Sequence, residues 1–379
     1  MASLGCLRLS ALLAGCVVAF PMLAMQPLDE QSLSEVTGQA QGLRYTSEYD
    51  ARIDSISYID DDGMGDGNVG TLTLSPVRLY TQTNRPVQID LEVKEVNGRK
   101  ALVFTNRDLP IETEIGSFAV NGYSLGGIGH GNFQIGNGDA LVTTLYAGGY
   151  EGNGITIDLD IPGSMSFDTW LEDDGARLTA TVDFGDPRNP LGGGMALKNI
   201  SFDLEADGLR IGLPEVTGGN VNFYNVRIGD DVLNSAALRN VNLQPGGYLL
   251  VKNARGADEI GMEMDLLVKK DSSLDFVYIT GAIGENYPGP NVFEMSANIS
   301  LVDDFSVRGM RMNVDGERGL VFDFDKTNAQ SGVSGNLLVS DFTMQRSDNV
   351  GLVSNPVGIG SMDIQMNLTN NTYMQIEGH

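Results

Sequence analysis

A short acidic segment near the start of the chain has the residue types that bind a calcium ion. Residues 60–68 read Asp-Asp-Asp-Gly-Met-Gly-Asp-Gly-Asn. Closely spaced side-chain oxygens on a glycine-rich turn suit Ca²⁺, which takes several oxygen ligands. The candidate ligands are Asp60, Asp62, Asp66 and Asn68. The segment departs from the EF-hand pattern, because Met64 stands where that pattern has an oxygen ligand. An exposed polar hairpin is therefore the competing interpretation.

Residues 122–126, Gly-Tyr-Ser-Leu-Gly, match the G-x-S-x-G elbow of serine hydrolases. That chemistry needs Ser124 on a strand-to-helix turn, beside a histidine base that an acid orients. The next residues, 127–131, read Gly-Ile-Gly-His-Gly and are poor helix formers. The two histidines of the chain are His130, inside this glycine run, and His379. We therefore expect a glycine-rich hairpin loop here, no catalytic residues and no enzymatic activity.

In each of two predicted strands, two carboxylates lie two residues apart, a spacing that places both on the same face of the strand. Asp158 and Asp160 form one pair, and Asp323 and Asp325 form the other. Glycosidases use two carboxylates across a sugar bond, so such pairs carry a possible chemistry. Alternation on a solvated acidic strand produces the same spacing, and we favour that interpretation.

The first 24 residues have the form of a secretory signal peptide. Arg8 is their only charge, a short apolar run follows it, and Ala24 is a small residue suited to cleavage. The alternative is a lipobox at residues 13–16, which would place a lipid on Cys16. Cleavage after Ala24 is favoured because the residues after Cys16 remain hydrophobic. Both interpretations predict export across the inner membrane to the periplasm, the cell surface or the medium.

Composition excludes several classes of function. The chain has 24 basic and 50 acidic residues and a formal net charge of −26, so a nucleic-acid partner is not expected. Cys6 and Cys16 both lie in the signal segment, so a processed chain would lack disulfides and thiolate metal sites. No later segment is apolar enough for a transmembrane span.

Most of the chain alternates apolar and polar residues, as residues 155–161 do, which is typical of β-strands. Asn-Gly pairs such as Asn97-Gly98 and Asn121-Gly122 predict tight hairpin turns. Residue patterns also recur at intervals of about 110 residues. Residues 58–63 match 170–175, residues 89–92 match 202–205, and residues 200–205 match 310–315.

We therefore predict an all-β fold of three tandem related units, each of about 110 residues. The sequence leaves open whether the units are sandwich-like or form one elongated β-roll. The predicted organisation is a signal peptide at 1–24, a leader with a short helix at 25–47, and β units at 48–150, 151–270 and 271–379.

The leader carries a recognisable motif, which ends in Leu33, Val36, Thr37, Gly38 and Gln39. Residues 24–39 resemble the mature N-terminus of a family of exported Gram-negative β-rich proteins, which has the form MQxLxxxxLSxVTGQ. Some members of that family are labelled as pilus-system (Fil-type) proteins, and most have no assigned function. The resemblance implies export and a role at the surface or in a pilus, and it implies no catalytic residues.

These observations predict an exported, non-enzymatic structural or surface protein, associated with a pilus or with the outer membrane. Its expected partners are protein subunits of such a system or further copies of itself. The alternative is a periplasmic or secreted ligand-binding module for a glycan or an apolar molecule, with Ca²⁺ as its only candidate cofactor. Tyr58, Trp170 and Tyr248 are the aromatic residues that would line such a surface.

Overall fold

The computed structural model describes residues 42–149, 152, 154–186, 189–253, 261–280, 293–348, 351–352 and 356–377. These residues form antiparallel β-sheets without a helix, which confirms the predicted all-β class. Within the same ranges there is accordingly no helix of the length and apolarity needed to cross a membrane. The end of the predicted leader, Leu43–Ser47, is the first strand.

The strands follow one another closely along the chain. Their bounds are β1 Leu43–Ser47, β2 Asp50–Ile53, β3 Ile56–Asp60, β4 Gly70–Leu74, β5 Val77–Thr81, β6 Val87–Val96, β7 Arg99–Asn106, β8 Ile111–Ile115, β9 Phe118–Val120, β10 Tyr123–Ser124, β11 Gly127–Ile135, β12 Leu141–Ala147, β13 Ile155–Pro162, β14 Met165–Asp173, β15 Ala176–Asp183, β16 Gly185–Asp186, β17 Asn189–Leu204, β18 Leu209–Gly212, β19 Glu215–Ile228, β20 Asp231–Leu243, β21 Tyr248–Asn253, β22 Met262–Val268, β23 Ser273–Thr280, β24 Phe293–Leu301, β25 Phe305–Asp315, β26 Gly319–Phe324, β27 Gly332–Asp348, β28 Gly351–Leu352, β29 Val357–Thr369 and β30 Met374–Ile376.

Hydrogen bonding arranges most strands in two long series. In spatial order, the first series is β1–β6–β7–β12–β13–β17–β18–β21–β22–β25–β26–β30. The second series is β2–β5–β8–β11–β14–β15–β19–β20–β23–β24–β27–β29. From β12 to β29, apart from the two-residue strands β16 and β28, the chain contributes two neighbouring strands to one series and the next two to the other.

The two series are continuous across the predicted unit boundaries. Strands β12 and β13 pair across residues 150 and 151, and β20 and β23 pair across residues 270 and 271. Pairing of β17 with β19 and of β25 with β27 joins the series into one 26-stranded sheet. The described strands therefore form large continuous sheets, and the division into three units stays a prediction.

The main hydrophobic core lies between the two series. Leu141 of β12 and Leu159 of β13 pack from the first series, and Met165 of β14 and Val182 of β15 pack from the second. Alternation along each strand directs these side chains to a shared apolar layer. The predicted period of two thus creates the core.

A separate four-stranded sheet of β3, β4, β9 and β10 packs on the first series near its end. Val120 of β9 and Val314 of β25 are fully buried at this contact, with Tyr58 of β3 packed against them. Strand β4 of the small sheet leads directly into β5, and β5 is nine strand spacings from β27, the neighbour of β25, which is about 43 Å in a flat sheet at about 4.8 Å for each spacing. The large sheet must therefore curve strongly for its early and late parts to meet.

Several strands contain a bulge at a residue with left-handed backbone. Asn199 of β17 has φ 60°, and Gly309 of β25 has φ 61°; the strand register shifts beside both. A bulge residue in this region increases local twist and bends the strand. Asp158 Oδ1 accepts a hydrogen bond from the Asn199 backbone N–H at 2.8 Å, and Asp265 Oδ1 accepts one from Gly309 at 2.6 Å. The same arrangement thus occurs at two bends of the first series.

Candidate functional site

The acidic segment predicted to bind calcium lies where the small sheet contacts β25. Asp60 is completely buried, and its Oδ2 accepts a hydrogen bond from the Val314 backbone N–H at 2.9 Å. Val69 forms an isolated antiparallel bridge with Asp315. Asn121 links both sides, because its Oδ1 accepts from Thr71 and its Nδ2 donates to the Asp315 carbonyl. The segment therefore joins parts of the chain that are far apart in sequence.

A guanidinium group supplies the positive charge at this junction. Arg318 forms ion pairs with Asp66 and with Asp315, and the pair with Asp315 has a separation of 3.1 Å. Asp315 is completely buried, and this burial by itself would raise its pKa. Backbone N–H groups of Arg318 and Glu317, together with the Arg318 side chain, outweigh the burial and lower the pKa of Asp315 below its ordinary value. The carboxylate therefore stays ionised in the folded protein.

The remaining candidate ligands belong to the turn between β3 and β4. The backbone carbonyl of Asp62 accepts hydrogen bonds from the N–H groups of Gly65, Asp66 and Gly67, and the Asn68 N–H donates to Asp66 Oδ1 at 3.2 Å. Among the residues that the structure describes, no three acidic, histidine or cysteine side chains are grouped closely enough to hold a metal ion. Calcium binding by Asp60, Asp62, Asp66 and Asn68 stays a prediction. The contacts that the structure shows for this acidic junction join the small sheet to β25 and the turn that follows it.

The segment around Ser124 belongs to the β9–β10 hairpin, which turns at Asn121-Gly122 as predicted, whereas residues 127–131 form a strand rather than a loop. Ser124 ends β10, where its Oγ lies 2.8 Å from Ser117 Oγ and accepts a hydrogen bond from the Gly126 N–H. Residues 127–131 begin β11, which pairs with β8 and β14. Glycine is poor in an isolated strand, but pairing on both sides holds this backbone extended. His130 is half-buried against Phe167, and burial lowers the pKa of its imidazole.

The paired strand carboxylates are not on a solvated face, so that interpretation was wrong for three of the four residues. Asp158 is buried and supports the bulge at Asn199. Asp323 is almost completely buried, and Arg311 donates two hydrogen bonds to its carboxylate, at 2.9 and 2.7 Å. Asp325 is also buried and accepts from the backbone and hydroxyl of Thr327. These carboxylates have structural partners that the sequence pattern does not identify.

The three aromatic residues suggested for a ligand surface lie in three different environments. Tyr58 packs in the contact between the small sheet and β25. Tyr248 of β21 is covered by the Arg210 guanidinium, at 4.0 Å from the ring centroid. Trp170 of β14 lines a groove on the second series. The structure therefore does not bring these aromatics together in one site.

An open sheet edge is the clearest surface feature of the late part of the chain. Strand β29 pairs with β27 along its length, and no other described strand pairs with it. Every residue of β29 except Met366 is exposed. Met362, Ile364 and Leu368 share one face by alternation, and their exposed fractions are 51%, 40% and 48%. An unpaired backbone edge thus lies beside an exposed apolar stripe.

The opposite ends of the two series are open as well. Strand β1 pairs with β6 and strand β2 with β5, and each lacks a second partner among the described strands. Leu43, Tyr45 and Ile53 are exposed apolar residues at this end. The sequence shows the residues of these edges but not their position, because any alternating segment can be central or peripheral in a sheet.

Other predicted residues lie outside the described part of the chain. These are Cys16, the lipid-bearing residue of the alternative signal, and the leader residues Leu33, Val36, Thr37, Gly38 and Gln39. His379 lies outside it too. Their assignments stay predictions.

Comparison with known proteins identifies no activity. Residues 4–100 match the model of a family of unknown function (DUF6160). No significant match was found among curated proteins or among solved structures. The family match covers the leader and the first strands, and it leaves the predicted export and pilus association as proposals.

Proposed function

We propose that the protein is an exported, non-enzymatic structural or surface protein, which assembles with further copies of itself on a pilus or on the outer membrane. The observation that carries this proposal is the open edge of β29 with its exposed apolar stripe. The signal-like N-terminus and the resemblance of the leader to exported proteins support the location.

The β29 edge has few of the features that keep sheet edges from pairing. Natural edge strands are commonly protected by lysines, prolines, inward charges or bulges. Strand β29 has a single charged residue, Asp363, and its register shifts occur only near its start, by Gly358 and Gly360. Residues 362–369 therefore present a regular backbone edge that another strand can extend by hydrogen bonding.

The arrangement of the open edges favours head-to-tail contact. The series begin with β1 and β2 and end with β30 and β29, so the two ends present different strands. A contact between unlike ends leaves one free end of each kind, and repeated contacts produce a ring or a filament. Exposed apolar residues on both ends would be buried by such a contact.

A charged residue introduced on the β29 edge tests the proposed self-assembly. In Ile364→Lys, a buried lysine would oppose strand addition, so we expect the variant to remain monomeric while the wild-type mass rises with concentration. Leu204→Lys is the matched control, because Leu204 is 83% exposed on β17 and lies away from the β29 edge. Light scattering after size-exclusion chromatography, over a range of concentrations, measures the mass.

Two outcomes would contradict the proposal. Wild-type protein that remains monomeric at every concentration, with no filaments in electron micrographs of its native envelope, would remove the structural role. Equal assembly by Ile364→Lys and wild type would exclude the β29 edge as the contact. Deletion of residues 28–39 tests the leader separately, since unchanged location and assembly would show that the leader has no part in either.

A further inference from the structure

A groove of about 460 Å³ crosses the second series on one face. It extends over the neighbouring strands β8, β11, β14, β15 and β19. Four strand spacings of about 4.8 Å give it a length of about 19 Å, perpendicular to the strands. Its length suits a short extended chain molecule.

Gly131 lines this groove, and Gly129 lies beneath the Trp170 ring that lines it. A Cβ on Gly129 would lie 2.2 Å from the Trp170 ring atoms, so the absence of a side chain allows the indole to lie flat across β11. A Cβ on Gly131 would lie 3.0 Å from Glu112 Cγ. The glycine spacing of residues 127–131, which the sequence alone did not explain, thus opens a surface where an aromatic side chain lies against the strand.

The Trp170 indole has a cationic neighbour. The Arg177 guanidinium lies 4.4 Å from the ring centroid, in a cation–π arrangement, and 3.8 Å from a Glu172 oxygen. Arg177 is 46% exposed, so it remains accessible to a ligand. An aromatic face and a five-donor guanidinium therefore lie side by side.

A carboxylate with spare acceptor capacity lies next to this pair. Asp168 is half-buried, and it accepts hydrogen bonds from Asn132 Nδ2 at 2.9 Å and Thr181 Oγ1 at 2.7 Å. Both donors are neutral groups, and a carboxylate has about four lone-pair positions, so two remain for a ligand. Arg227 of β19 lines the same groove and adds a second guanidinium.

This set of groups selects the class of ligand. An apolar ligand would cover the two remaining acceptor positions of the Asp168 carboxylate without donating a hydrogen bond to them, which is costly. A strongly anionic chain would approach Asp168 and Glu112 on a protein whose net charge is −26. Hydroxyl groups both donate to carboxylates and accept from guanidinium groups, and the aromatic ring provides a surface for C–H groups. We propose that this groove binds a neutral oligosaccharide chain.

Trp170 gives a direct measurement, because it is the only tryptophan of the chain. We expect neutral cello-, malto-, laminari- or chito-oligosaccharides to change its fluorescence saturably, with at least one series binding. Asp168→Asn should weaken that binding about tenfold or more, which is the loss expected for a hydrogen bond to a charged group. Asp173→Asn is the matched control, since it makes the same change at an exposed position of the same strand, outside the groove.

The outcomes separate this proposal from the assembly of the protein. Ile364→Lys should bind the oligosaccharide as the wild type does, because the β29 edge does not line the groove. Calorimetry on the same samples, with melting curves to show that each variant is folded, provides an independent readout. The absence of fluorescence change and heat with every neutral series would overturn the proposal. Binding only of an anionic oligogalacturonate, or equal binding by folded Asp168→Asn, would overturn it too.

Discussion

Gly70→Ala should separate the small sheet from the large one. A Cβ at this position would lie 1.9 Å from the Val314 carbonyl oxygen and 2.3 Å from its carbon, and both are backbone atoms that cannot rotate away. Gly70 does not need the left-handed backbone that only glycine adopts easily, so the clash is the whole effect. The alanine variant must either displace β25 or release β4 from it.

The contacts between the small sheet and β25 determine how much stability Gly70→Ala should lose. Val120 and Val314 are fully buried there, at about 1.5–3 kcal/mol for each side chain. The hydrogen bond from Val314 to the Asp60 carboxylate contributes about 1.5–3 kcal/mol, as bonds to charged groups do. Complete release would cost about 5–9 kcal/mol, and partial accommodation of the extra carbon about 1–3 kcal/mol. We therefore expect a loss of at least about 1 kcal/mol, and of about 5–9 kcal/mol if the small sheet is released.

Urea unfolding measures this loss, and hydrogen exchange locates it. The Val314 amide is protected by Asp60 in the wild type and should exchange much faster in Gly70→Ala. Gly136→Ala is the control, because its Cβ would make an ordinary contact of 3.5 Å with Ser164. An unchanged urea midpoint in Gly70→Ala, with the Val314 amide still protected, would refute the docking of the two sheets.

Arg311→Ala leaves the almost completely buried Asp323 carboxylate without its two guanidinium hydrogen bonds, so we expect a loss of about 3–5 kcal/mol in urea unfolding. The double variant Arg311→Ala/Asp323→Asn should recover part of the lost stability, because its buried side chain carries no charge. If no stability is recovered, an unpaired buried charge is not the cause of the loss. Burial lowers the pKa of His130 from its ordinary value of 6.5, so the unfolded chain binds the proton more readily. Stability should therefore fall as the pH drops below 6.5 and through the folded pKa; His130→Phe should lack this component, and identical pH profiles would exclude it. Arg318 already pairs with Asp66 and Asp315 at the acidic junction, so calcium and chelator should leave the wild-type melting temperature unchanged. In Arg318→Met the melting temperature should fall and then rise with added calcium, whereas a calcium response of the wild type would support the predicted ion site.

Turn chemistry was the most predictable part of this molecule. Asn97-Gly98 joins β6 to β7, and Asn121-Gly122 joins β9 to β10, with positive φ at all four residues. Such turns need only the local preference of asparagine and glycine for left-handed backbone. Alternation likewise predicted the all-β class, because a period of two directs side chains to opposite faces whichever strands become neighbours.

Asparagine was not informative when it lay inside a strand. Asn199 lies inside β17 and forms a bulge at φ 60°, where Asp158 accepts its backbone N–H. Read along the sequence, Asp158 is one polar residue of an alternating strand, and solvation was the simpler expectation. Its burial depends on β17, which is contributed by a different part of the chain, so local pattern could not reveal it.

The groove on the second series and the acidic junction could not be predicted from the sequence either, because the residues that form them are far apart along the chain. The glycines at 129 and 131 had no evident purpose until β14 placed Trp170 beside them. The acidic residues at 60–66 have the types of metal ligands, and the sequence could not show that Val314 and Arg318 contact them in the folded chain.

The β class, the tight turns and the two-residue period of the core could be predicted from the chain alone, because each depends on neighbours along the chain. The burial of the carboxylates, the packing of glycines against an aromatic ring and the identity of the edge strands follow from the fold. Those properties depend on the order in which strands pair and on the curvature of the sheet. A residue's type permits several partners, and its chemistry is settled by the partner that the fold provides.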